Sequence, residues 1–144
     1  MLESRAPIAL LILRLSVAIF LAVWVVEKFV APSSMVGIGA KFYGLELTVT
    51  HVYVIGAIQA VMLLLFTIGA VPLVSTGFFV VIHAVSMLVS YENLLNPYVG
   101  PNHLFHAGIP ALAALVALLM LRHWDTLASV QGIGRGGGQY GKVA

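Results

Sequence analysis

Four apolar runs, each close to the length of a bilayer-spanning helix, occupy most of this chain. They are residues 7–30, 52–71, 73–90 and 106–122. A spanning helix needs about 20 predominantly apolar residues, because its backbone groups must be satisfied inside the segment when no water is present. The last two runs are short, which implies tilt or local thinning of the bilayer. Composition supports lipid as the solvent. The chain of 144 residues is 61% hydrophobic and only 8% charged, against about 25% charged in soluble domains. A soluble domain of this size could not hide so much apolar surface. The fold expected is all-α, an integral membrane antiparallel four-helix bundle with two long loops on the outer face.

The first run also begins like a signal peptide, but its apolar stretch is too long for one and no small-residue cleavage motif follows it closely. It reads as a retained membrane helix. Residues 1–130 then form the transmembrane domain, and the Gly-rich stretch 131–144 reads as a flexible tail.

The Lys/Arg bias sets the expected orientation. An even number of spans puts both termini on one side, with Arg5, Arg14, Arg122, Arg135 and Lys142, while Lys28 and Lys41 lie on the other. Both termini are therefore expected in the cytoplasm of a bacterial inner membrane. The connections 31–50 and 91–102 fall on the outer face. The first is expected as a long loop, with a short strand or interfacial helix in "KFYGLELTVT".

Charge and cysteine content exclude several chemistries. A formal net charge of +2 with 7 Lys+Arg forms no basic stripe for nucleic acid. With no cysteine, disulfides, iron–sulfur clusters and dithiol redox chemistry are excluded.

Candidate site residues are the polar groups that interrupt the apolar pattern. Arg14, inside the first run, either snorkels to the headgroups or forms a buried pair or anion site, with Asp125 as partner. Glu27 and Lys28 close the first helix, either paired at the interface or with Glu27 turned into the bundle. Gln59 and His83 fall at similar depth on successive helices and are expected to hydrogen-bond across the bundle. Ser86, Met87 and Ser90 extend the His83 face toward Tyr91. The island "YENLLNPYVGPNHLFH" brings Tyr91, Glu92, His103 and His106 toward the level of His51. Imidazole and carboxylate suit a divalent metal, so His51, Glu92, His103 and His106 are the metal candidates. A haem needs ligands at matched depth, and His83 sits too deep to pair with His51 or His106. The expected picture is a lid, made of the island and residues 31–50, over a polar cavity lined by Glu27, His51, His83, Glu92 and His106.

Read in order, "LRLSVAIFLAVWVVEKF", "GAIQAVMLLLFTIGAVP", a His-bearing third helix and "AGIPALAALVALLML" resemble the DoxX-like family of small four-helix membrane proteins, over about residues 10–122. The small residue that the family often carries before its "xKF" is replaced here by Val25 and Val26. The resemblance implies a membrane subunit of a respiratory or thiosulfate:quinone-type redox complex. It matches Arg14 and the Glu27–Lys28 pair to the family's charged positions, and it makes quinone the first cofactor candidate, ahead of a divalent metal. Implied partners are the bilayer and other membrane subunits or further copies of the chain. The alternative is a stand-alone membrane enzyme or metal-binding protein using the His/Glu cluster. A transporter is disfavoured by the lack of an internal repeat and of a broken helix pair.

Overall fold

The computed structural model describes residues 2–135, and the remainder of the Gly-rich tail, 136–144, lies outside the described residues. The regular elements of the described chain are all helices, with no strand among them. The helices are α1 (Leu2–Val30), α2 (Pro32–Tyr43), α3 (Val49–Thr67), α4 (Pro72–Val89), α5 (Tyr91–Leu95), a 3-10 helix (Asn102–Ala107), α6 (Gly108–Met120) and α7 (Val130–Arg135). Four segments, Arg5–Val30, Val49–Thr67, Pro72–Val89 and Asn102–Met120, are long and apolar enough to cross a membrane. Each coincides with an expected apolar run to within a few residues. The fourth is the 3-10 helix continued by α6.

The expected loop 31–50 is largely helix, a correction with a local cause. Pro32 sits in the first turn of α2, where its missing N–H costs nothing. Gly44 closes the helix in the left-handed conformation at φ 63, returning its N–H to the Gly39 carbonyl. Of the short strand or interfacial helix expected in "KFYGLELTVT", the strand does not form and helix occupies both ends of the segment. An isolated strand at membrane depth would leave both backbone edges unsatisfied, and these residues instead finish α2 and lead into α3.

α1 packs mainly on α3 and α4 mainly on α6, with weaker α3–α4 and α1–α6 contacts closing the ring. On α1, Leu10, Arg14, Val17, Leu21 and Val25 are buried, while Ile8, Ile12, Leu15, Ile19, Val23 and Val26 are exposed. Both sets recur at three- and four-residue spacing, so one stripe faces the bundle and the other the surroundings. The core joins Leu10, Val17 and Leu21 to Phe66, Phe79, Leu115 and Leu118. Gly56 of α3 permits close approach to α1, since a Cβ there would lie 3.0–3.2 Å from Phe29 and Lys28 atoms.

Arg14 does not snorkel. It is 2% exposed and its Nη1 donates to Asp125 Oδ2 at 2.8 Å. Its Nη2 donates to the Leu127 and Ala128 carbonyls at 2.8 and 3.0 Å. The segment 121–129 thus folds back over the end of the bundle as a strap, and Val130 N–H reaches the Ile68 carbonyl at 2.9 Å. α7 follows directly, so residues 131–135 of the expected tail are helical.

The α3–α4 turn contains a strained position. Val71 lies at φ 45, ψ 54 immediately before Pro72. The left-handed region costs an L-residue about 1–2 kcal/mol, and a β-branched side chain is poorly suited to it. Val71→Gly should therefore raise stability by about 0.5–1 kcal/mol, part of the relief being offset by the entropy glycine loses on folding. Detergent-phase thermal or denaturant unfolding reads this directly. A loss of stability would show that the Val71 side chain contributes more than its backbone costs.

Candidate functional site

The end of the bundle opposite the strap is built differently. α3 and α4 are joined tightly through residues 68–71, and away from that turn a cavity of about 530 Å³ opens among α1, α3 and α4. α2 and the 3-10 helix close over it. Phe42 of α2 meets Phe105 of the 3-10 helix with ring centroids 5.9 Å apart. The Tyr43 hydroxyl and Ser86 Oγ are 2.8 Å apart, tying α2 to α4. Of the two segments expected as a lid, 31–50 lines the cavity through α2 and the residues after it, whereas the island 91–106 contributes only Leu104 and Phe105; the two meet through aromatic contact.

The walls are mainly apolar and rich in aromatic rings, with Phe20, Trp24, Phe42, Tyr43, Phe79 and Phe105 among the lining residues. Met35 and Met87 add polarisable sulfur. The polar groups are few: Lys28, Tyr43, Gln59, His83, Ser86 and Ser90. Most are already engaged. Lys28 Nζ donates to the Trp24 carbonyl at 2.9 Å, and Ser90 Oγ donates to the Ser86 carbonyl at 2.7 Å. His83 Nε2 lies 3.0 Å from the Gly108 carbonyl oxygen, and Phe20 meets the imidazole edge-on at 5.8 Å.

Gln59 and His83 therefore line one cavity, as their matched depth predicts, but the expected bond between them is absent. The Gly108 carbonyl takes His83 instead. α6 packs closely on α4 at this point because Gly108 has no side chain, and a Cβ there would collide with Met87 Sδ. The buried Gln59 amide makes no hydrogen bond to any described residue.

The other expected lining residues lie elsewhere. His51 is exposed and completes a capping box at the start of α3: its N–H donates to Thr48 Oγ1 at 3.3 Å, and its Nδ1 accepts from Thr48 N–H at 3.1 Å. Helix capping consumes that imidazole. Glu92 is exposed and accepts from the Tyr91 hydroxyl at 3.2 Å, so Tyr91 and Glu92 pair outside the cavity. His103 is exposed on the 3-10 helix. His106 is partly buried, with its Nδ1 lacking a partner, and is not among the lining residues. Glu27 is half-buried but does not line the cavity. Among the described residues, no three His, Asp or Glu side chains gather as a metal-binding group. His51 is placed by the start of α3, and His103 and His106 by the 3-10 helix.

Sequence reasoning missed Phe20, Trp24, Phe42 and Phe105 as site residues. The signal was present in part: Phe20 and Trp24 are spaced i, i+4 and share one side of α1.

No protein-family model matches the chain, and neither a curated protein nor a solved structure matches it.

Proposed function

We propose that the chain is a DoxX-like, antiparallel four-helix integral membrane protein that holds a lipid-borne, ring-containing molecule such as a quinone. In this reading it serves as a small, non-catalytic, quinone-proximal subunit of a redox complex in a bacterial inner membrane. The observation that carries the reading is the cavity of about 530 Å³ with aromatic walls and few polar groups. Its size falls within the range of small-molecule sites, which are typically apolar with a few placed hydrogen-bonding groups.

The antiparallel arrangement is supported by the α1–α3 contacts: Gly56 packs on Lys28 and Phe29, whereas Gly69, beyond the other end of α3, packs on Arg14. Arg5, Arg14, Arg122 and Arg135 belong to the strap end, while Lys28 and Lys41 belong to the cavity end. That bias favours cytoplasmic termini and an outward-facing lid. The DoxX-like assignment rests on the "RL…EKF" and "IGAVP" segments.

Trp24 provides the test of ligand binding. In a Trp124→Phe background, a short-chain benzoquinone should quench Trp24 fluorescence saturably. In Trp24→Phe, quenching of the remaining Trp124 should stay linear and non-saturating. Equal, linear quenching of both tryptophans would remove the binding reading. The subunit reading is tested separately by gentle extraction from native membranes. Partner subunits should co-purify in fixed ratio, and a chain that always migrates alone would overturn it.

A further inference from the structure

We infer that the cavity selects ring compounds carrying a hydroxyl, of the phenol or hydroquinone class, over their carbonyl or ether counterparts, and that His83 and Gln59 make the selection. The inference deepens the proposed reading and rests on the cavity being a binding site. Gly108 O is a carbonyl and only accepts, so the Nε2 atom lying 3.0 Å from it must carry the proton. In a neutral imidazole the other nitrogen is then a lone-pair acceptor. That Nδ1 makes no hydrogen bond to any described residue, and His83 lines the cavity. The tautomer is held by a backbone carbonyl, so the ring cannot reverse its polarity without losing that bond.

The second observation is independent. Gln59 is 9% exposed, lines the same cavity from α3, and its amide has no partner among the described residues. The amide is not among the fully buried orphan atoms, so a nine-tenths buried side chain keeps its unpaired polar end open to the cavity, where a polar visitor can bond it. The pair together offers a committed acceptor on α4 and, on α3, an amide that can donate or accept. A ring hydroxyl can donate to His83 and accept from Gln59. A quinone carbonyl or a methyl ether can only accept, and so leaves the imidazole lone pair unmatched. The six aromatic residues of the wall suit a planar ring over a saturated chain. Lys28 also lines the cavity; one of its N–H donors goes to the Trp24 carbonyl, and any other that reached a ligand would serve a carbonyl and a hydroxyl oxygen alike, since both accept.

The test uses full-length protein in nanodiscs and two redox-inert probes, a 4-alkylphenol and the matching 4-alkylanisole, compared by equilibrium dialysis. The phenol is expected to bind about tenfold more tightly, the worth of one matched hydrogen bond in a buried site. In His83→Phe the preference, read as the ratio of the two affinities within the same variant, should fall to about twofold or less. Gln59→Leu should reduce the preference in the same direction and serves if His83→Phe does not fold. Equal binding of the two probes to the wild-type protein would overturn the selection and leave the cavity reading standing. Failure of both probes to bind would remove the cavity reading itself.

Discussion

Arg14→Leu is expected to destabilise the bundle by about 3–5 kcal/mol at neutral pH, the usual consequence of removing one partner of a buried ion pair. The side chains of Arg14 and Asp125 are 2% and 10% exposed. Losing the guanidinium also strips the Leu127 and Ala128 carbonyls of their donor, so the strap is released at three points. The loss should depend on pH in a definite direction. Burial pushes the Asp125 carboxyl above its usual range, and the adjacent Arg14 restrains the rise through its charge and hydrogen bond. Without Arg14 only burial acts, and the folded-state pKa climbs further. A carboxyl whose folded pKa exceeds its unfolded value, about 3.9, contributes its full stability below that value and loses it as pH rises through the folded pKa. The variant should therefore be closest to the parent near pH 4 and weakest near neutrality. Arg14→Leu combined with Asp125→Leu should abolish this pH dependence and recover much of the loss. Denaturant unfolding in detergent at acid and neutral pH decides the matter. A neutral-pH loss under about 1 kcal/mol would mean the pair is not the lock that holds the strap.

Gly69→Val should be nearly as damaging, by about 3–5 kcal/mol, for two reasons that add. Gly69 lies at φ 63, where a β-branched residue is strained by about 1–2 kcal/mol. It also has no room for a side chain: a Cβ would come within 2.5 Å of Ser129 Cβ and 2.6 Å of Arg14 Nη1. Overpacking of this kind typically costs about 1–3 kcal/mol more. The guanidinium cannot yield, because its position is set by Asp125 and two carbonyls, and Ser129 is held by bonds to the Asp125 and Thr126 carbonyls. If the steric argument is right, Arg14→Leu should partly relieve Gly69→Val in the same unfolding assay. Strictly additive losses would locate the damage in the backbone and the Ser129 contact rather than at the guanidinium.

The two ends of the bundle differed in how far the residues announced them. At the strap end, a lone arginine inside an apolar run has few acceptable fates, and Asp125 was the acid available beyond the last span. What the residues could not specify was the close passage of Gly69 that lets the guanidinium sit there. At the cavity end, the part played by residues 31–50 and the sharing of one cavity by Gln59 and His83 were legible, but the rest of the lining was not. His51, Glu92, His103 and His106 looked like one group because they share a level, yet His51 is consumed by the Thr48 capping box and Glu92 pairs with Tyr91 outside the cavity.

The sequence by itself determined the number, length and order of the spanning helices, because a helix in an apolar medium satisfies its backbone locally and needs only a sufficiently long apolar run. It also determined which side chains are too polar to face lipid unaided. Only the tertiary structure decided which way each helix faces. In a soluble protein the apolar stripe marks the core, but here Ile19 on the exposed stripe and Leu21 on the buried one are chemically alike, since lipid tails and the bundle interior are equally apolar. The choice falls instead to close packing at Gly56, Gly69 and Gly108 and to the few polar groups that must find partners. Those contacts turned Arg14 into the lock at one end and left the Gln59 amide without a partner among the described residues at the other.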